Sequence, residues 1–168
     1  MNVSSRSLLA FFVVLAVSAA AWAVDKNGFM VTVTKVTLDR ADQRGGLYSY
    51  DRINRTQGLK LSIKNTSFSA MPEGEVQWQI LNRKHDSTRV ELTSGKEKLK
   101  ALRPAETADL SIGAAEVTGY RDISETSMDK LEWQVTILQA GKEVLKTAST
   151  ASFDVVAKRA TKITAPAR

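Results

Sequence analysis

Catalysis needs a nucleophile, a base or a set of metal ligands, and this sequence is short of all three. It holds no cysteine and a single histidine, His85. A cysteine nucleophile, a serine triad oriented by histidine and a multi-histidine metal site therefore all lack parts. No Gly-x-Ser-x-Gly element is present either. His85 stands beside Lys84 and Asp86 in a polar run, 82–86, and reads as a solvated turn residue. Asp39, Asp42 and Asp51 could gather around calcium, which asks for about six to eight oxygens. Arg40, Arg44, Arg52 and Arg55 are interleaved with them and would oppose a cation. The expectation is a protein that is not an enzyme and uses no metal or cofactor.

Recognition is the chemistry that the residue types do favour. Arg44-Gly45-Gly46-Leu47-Tyr48-Ser49-Tyr50-Asp51-Arg52 puts two tyrosines and two arginines on a glycine-hinged stretch within a long loop, 40–55. Tyrosine and arginine are the residues enriched where proteins meet, and long loops in small domains are usually functional or disordered. Arg44, Tyr48, Tyr50 and Arg52 are thus the candidate partner-binding residues. The alternative is that Tyr48 and Tyr50 lie in an ordinary edge strand. Trp78 and Trp133 are in phase with the aliphatic residues of their own segments, which marks them as core and not as a platform for stacking sugars. Asn54-Arg55-Thr56 and Asn65-Thr66-Ser67 match the glycan acceptor pattern, which matters only in a eukaryotic host.

The segments that must position these residues alternate with a period of two. Phe29, Val31 and Val33 oppose Met30, Thr32 and Thr34, with a bend expected near Lys35. The same alternation places strands through Leu59, Leu61 and Ile63, through Val76, Trp78 and Ile80, and through Val90 and Leu92. Ser94-Gly95 is expected to turn the chain, and Pro104 to set a tight turn before Ala108, Leu110 and Ile112. The stretch 113–129 reads as an irregular connection with one helical turn near 123–128. Leu131, Trp133, Val135 and Ile137 form the cleanest strand, Ala140-Gly141 a hairpin, and a last strand runs from Val144 and resumes through 153–156. Helical spacing of apolar residues is nowhere sustained. The expected fold is all-β, an immunoglobulin-like two-sheet antiparallel β-sandwich of seven or eight strands.

The ends of the chain have their own logic. A basic start ending at Arg6, an apolar run 8–21 and Ala21-Trp22-Ala23 have the layout of a signal peptide, residues 1–23. A membrane anchor would need a longer run of about 20 apolar residues. The sequence therefore predicts an exported protein, periplasmic or extracellular, with no transmembrane segment after cleavage and a sandwich domain over 24–156. Without cysteine, neither a lipid-modified N-terminus nor disulfides can contribute, so an apolar core must hold the fold. The net charge of +6 belongs mostly to the end. Residues 157–168 hold Lys158, Arg159, Lys162 and Arg168 with no acid and read as a basic disordered tail, with an anionic envelope polymer or lipid surface as its partner if it has one. Nucleic acid does not fit the compartment, and the basic residues are not interleaved with aromatics.

Three stretches carry a family resemblance. They are Leu59-Lys60-Leu61-Ser62-Ile63-Lys64-Asn65-Thr66-Ser67-Phe68, then Glu75-Val76-Gln77-Trp78-Gln79-Ile80-Leu81, then Leu102-Arg103-Pro104-Ala105-Glu106-Thr107-Ala108-Asp109-Leu110-Ser111-Ile112. Together they resemble the immunoglobulin-like and fibronectin-type accessory modules of bacterial envelope proteins, above all the cell-adhesion-related type. Ala105 stands where those modules carry glycine. The resemblance implies a sandwich used for adhesion or assembly, with no catalytic residues to carry over. The partner would be another envelope protein, met through the 40–55 loop or a sheet edge, or alternatively a carbohydrate or envelope polymer.

Overall fold

In the computed structural model, residues 22–46 and 50–163 are described. The expected signal segment lies outside them except for Trp22 and Ala23, and so does Tyr48. Alternation becomes extended structure almost throughout: β1 (Trp22–Lys26), β2 (Phe29–Arg40), β3 (Asp51–Asn65), β4 (Gly74–Arg83), β5 (Val90–Leu99), β6 (Thr107–Arg121), β7 (Thr126–Met128), β8 (Lys130–Gln139), β9 (Lys142–Ala148), α1 (Phe153–Ala157) and β10 (Thr161–Lys162). One sheet is ordered β1-β2-β3-β6-β7 and the other β10-β5-β4-β8-β9. Every pairing is antiparallel except β10 on β5, which is parallel.

The two sheets close face to face on a shared core. Phe29, Val31, Val33, Leu59, Leu61, Ile63, Ile112 and Val117 from one meet Val76, Trp78, Ile80, Leu99, Trp133, Val135 and Ile137 from the other. Each set is the apolar phase of its strand, so burial of this one face per sheet is what fixes the register. The chain is an all-β, two-sheet sandwich.

Several local expectations are corrected. Ser94-Gly95 is not a turn, because β5 runs straight through it. Gly95 pairs with Trp78, and a Cβ there would stand 2.3 Å from Trp78 Cζ2, so the glycine makes room for the indole. The stretch 113–129 is not an irregular connection. Gly113 adopts φ +64 beside the register shift between Gln57 and Leu59, and this bulge lets β6 continue to Arg121. The bend expected near Lys35 appears as a bulge between Thr37 and Asp39. Strands number ten among the described residues, because the short β7 and β10 carry too few residues to show a period.

The C-terminal part departs most from expectation. Residues 153–157 form α1 and not a strand. Phe153 packs with Leu81 and Leu92 on the outer face of the second sheet, with Val90, Val156 and Ala160 around them. Val90 and Leu92 thus face this helix and not the central core. Residues 158–163 are not a disordered tail either. Thr161 and Lys162 pair with Glu91 and Leu92, and the Ile163 amide donates to the Leu92 carbonyl at 2.9 Å. The physical reason is the second apolar face of β4 and β5, which needs a cover. β1 crosses the expected cleavage point, and Val24, Asp25 and Lys26 pair with Val31, Met30 and Phe29.

Candidate functional site

β3 sorts the loops to two ends. Its last residues, 63–65, lie beside Phe29 and Thr107, whereas its first, Asp51 and Arg52, lie beside Arg121 and Tyr120. The end at Asp51 gathers the β2–β3 loop, the β6–β7 turn and, through ring contacts, the β4–β5 hairpin.

The base of the β2–β3 loop is zipped shut. Arg55 grips Asp42 through Nε at 3.1 Å and Nη2 at 2.6 Å, and Arg40 Nε reaches the same carboxylate at 2.7 Å. Those two guanidinium groups hold the Asp42 carboxyl well below the ordinary carboxylate range, the Arg55 hydrogen bond contributing most. Gln43 and Arg52 exchange backbone hydrogen bonds at 2.8 and 2.9 Å. The Gly45 amide donates to Asp51 Oδ1 at 2.9 Å. The long 40–55 loop is therefore shorter than expected. β3 already begins at Asp51 because Ile53 is buried and Arg52 pairs with Tyr120. Arg52 and Arg55 are strand residues, not loop residues.

Above this base lies a cleft of about 370 Å³ lined by Arg40, Asp42, Gln43, Arg44, Asp51, Arg52, Ile53 and Arg121. Arg40 is committed to Asp42. Arg44, Arg52 and Arg121 are exposed, and none has a side-chain hydrogen bond or ion pair among the described residues. Tyr50 is 54% exposed and its ring lies 5.5 Å from that of Tyr120. Of the four sequence candidates, Arg44 and Arg52 line the cleft, Tyr50 is not in its lining but meets Tyr120, the chain neighbour of Arg121, and Tyr48 lies outside the described residues. Sequence reasoning missed Arg121 and Tyr120, which reach the site only through the β3–β6 pairing, and Ile123, which is fully exposed on the β6–β7 turn.

His85 is not a solvated turn residue. Its ring Nδ1 lies 2.8 Å from Oδ1 of Asp129, and its amide donates to the same oxygen at 3.0 Å. The Asp129 side chain is fully buried. Burial opposes its charge, but hydrogen bonds from His85, Thr118 and Lys84 outweigh that and hold the carboxyl well below its ordinary range. The His85 and Tyr120 rings meet edge to face with centroids 5.9 Å apart, so this buried acid buttresses the tyrosine pair beside the cleft. Asp51 and Asp42 are both committed to the loop's own groups, and no group of metal-ligating side chains forms among the described residues.

Trp78 and Trp133 are both buried, at 6% and 2% exposure, which leaves neither as a surface for stacking sugars. Asn65 is fully buried too, with its amide nitrogen donating to the carbonyls of Ser69, Leu102 and Arg103, so this match to the glycan pattern is spent on structure. No helix among the described residues is long and apolar enough to cross a membrane.

No family model and no curated protein matches the chain. A crystal structure of a protein from Akkermansia muciniphila is similar in fold over 85% of this chain and 84% of its own, at 12% identity and a TM-score of 0.40. At that similarity the likeness assigns neither function nor partner.

Proposed function

We propose that the chain is a non-catalytic binding and assembly module of the cell envelope. In this reading residues 1–23 direct export to the periplasm or cell exterior, and an immunoglobulin-like sandwich of the cell-adhesion-related type presents its Asp51 end to another envelope protein. The observation that carries the reading is the grouping, at that one end, of three unpaired arginines, the Tyr50–Tyr120 pair and the fully exposed Ile123. Guanidinium groups and aromatic rings beside a lone apolar anchor are the composition of an interface hot spot. The zipped loop base and the buried Asp129 support beneath it reduce the ordering cost of binding. Burial of both core tryptophans speaks against the carbohydrate-binding alternative.

The test is capture from the native envelope. Tagged protein crosslinked in cells is expected to carry a defined partner, and Tyr50→Ala with Ile123→Asp to lose most of it while the melting curve stays in place. An unchanged set of crosslinked species in that double variant would remove the proposal.

A further inference from the structure

The cleft itself narrows the partner's chemistry. It is lined by Arg40, Arg44, Arg52 and Arg121 together with Asp42, Gln43, Asp51 and Ile53. Asp42 is also shared with Arg55 from below. The cleft is thus positive on balance: among the described residues Arg44, Arg52 and Arg121 are in no ion pair, and Asp51 is the one lining carboxylate without a cationic partner. Arginine's planar fork matches carboxylate oxygens two at a time. Apolar and aromatic surface is supplied at the same end by Tyr50 with Tyr120, which pairs with Arg52, and by Ile123, two residues beyond Arg121.

We infer that the cleft receives an acidic segment of a partner protein, whose carboxylates pair with Arg44, Arg52 and Arg121 while its apolar side chains rest on Tyr50, Tyr120 and Ile123. This rests on the proposal that the Asp51 end is the recognition surface. An anionic bilayer offers the same charge but fits less well. Ile123 would be the inserting residue, and it is flanked on its own turn by Asp122 and Glu125, both exposed, which headgroups would repel. A segment lying in the cleft avoids them. Asp51 faces the cleft as well, but one of its oxygens already accepts from Gly45.

The experiment uses the full exported protein and a rhodamine-labelled decapeptide of alternating glutamate and serine, read by fluorescence anisotropy at low salt. Saturable binding is expected, weakening as salt rises because the arginines are exposed. Arg52→Gln with Arg121→Gln should weaken it about tenfold or more, the loss expected for removing one or two charge-assisted contacts. Lys98→Gln with Lys100→Gln removes the same charge at the opposite end and should leave the affinity within about twofold, the residual long-range effect. Absence of peptide binding, or an equal loss in both double variants, would overturn the inference. So would arginine-dependent binding to phosphatidylglycerol vesicles in place of the peptide, which would assign the cleft to lipid.

The two levels fail separately. Should the peptide not bind while Tyr50→Ala with Ile123→Asp still releases the envelope partner, the end is an interface for a partner without acidic residues and only this inference falls. Should the peptide bind through the arginines while every variant keeps its envelope partners, the ligand class stands and the proposed interface falls.

Discussion

Asp129 shows how one buried charge can tie a hairpin to a strand. Its carboxylate collects Lys84 and His85 from the β4–β5 hairpin and Thr118 from β6, with no exposed surface of its own. Replacement by alanine takes the buried acceptor from these donors and should cost about 3 to 5 kcal/mol, the range for breaking a buried charged pair, measured by urea unfolding. Its folded pKa lies below that of the unfolded chain. The unfolded state therefore binds more protons on acidification, and the stabilisation, present above about pH 4, is lost as pH falls through the folded value. Asp129→Asn should accordingly show a shallower loss of stability below pH 4 than the wild type. Ala105 illustrates the opposite case. It sits at φ +63 at the third position of the turn 103–106, closed by the Glu106 amide on the Arg103 carbonyl at 3.1 Å. A left-handed backbone costs a residue with a Cβ about 1 kcal/mol. Ala105→Gly should recover part of that and raise the melting temperature by about 2 °C. The position where the resembling modules carry glycine is the position where the backbone asks for it.

At the scale of elements, Gly95 decides whether Trp78 fits. The glycine lets the indole lie across β5, and Gly95→Ala would drive a methyl against the ring. We expect a cost of about 1 to 3 kcal/mol, typical of overpacking, with a shift in tryptophan emission. α1 is a second such test. Phe153 is 1% exposed and fills the outer face of β4 and β5, so Phe153→Ala should cost about 3 kcal/mol, with hydrogen exchange rising first at Ile163, whose amide is bonded to Leu92. These elements also mark where the sequence could and could not be read. Strands whose apolar residues all lie on one face, such as Phe29 to Val33 and Leu131 to Ile137, carry a clean period of two and were legible. Leu81, Leu92 and Phe153 form a second apolar face, which blurs that period and hid the helix. Gly95 and Gly113 have turn-like sequences, yet one is emptied by a neighbouring ring and the other is a bulge, and both depend on partners distant in the chain.

The whole molecule separates its duties by end and by layer. The interior between the sheets provides cohesion, α1 and β10 cover one outer face, and the Asp51 end carries the arginine-lined cleft. Half of the candidate site was legible. Arg44, Tyr50 and Arg52 announced themselves through composition, whereas Arg121, Tyr120 and Ile123 lie about 70 residues further on and arrive only by pairing β3 with β6. Export is the proposal that belongs to this scale, and mass spectrometry of the envelope fraction should find an N-terminus at Val24, with β1 shortened from five paired residues to Val24, Asp25 and Lys26. The central claim is that the arginine-lined end is where the partner sits. A photo-crosslinking residue placed at position 123, compared in living cells with one at the equally exposed position 68 on the opposite end, tests it most directly. A discrete adduct is expected from 123 and none from 68; an adduct from 68 alone would put the partner at the other end of the sandwich.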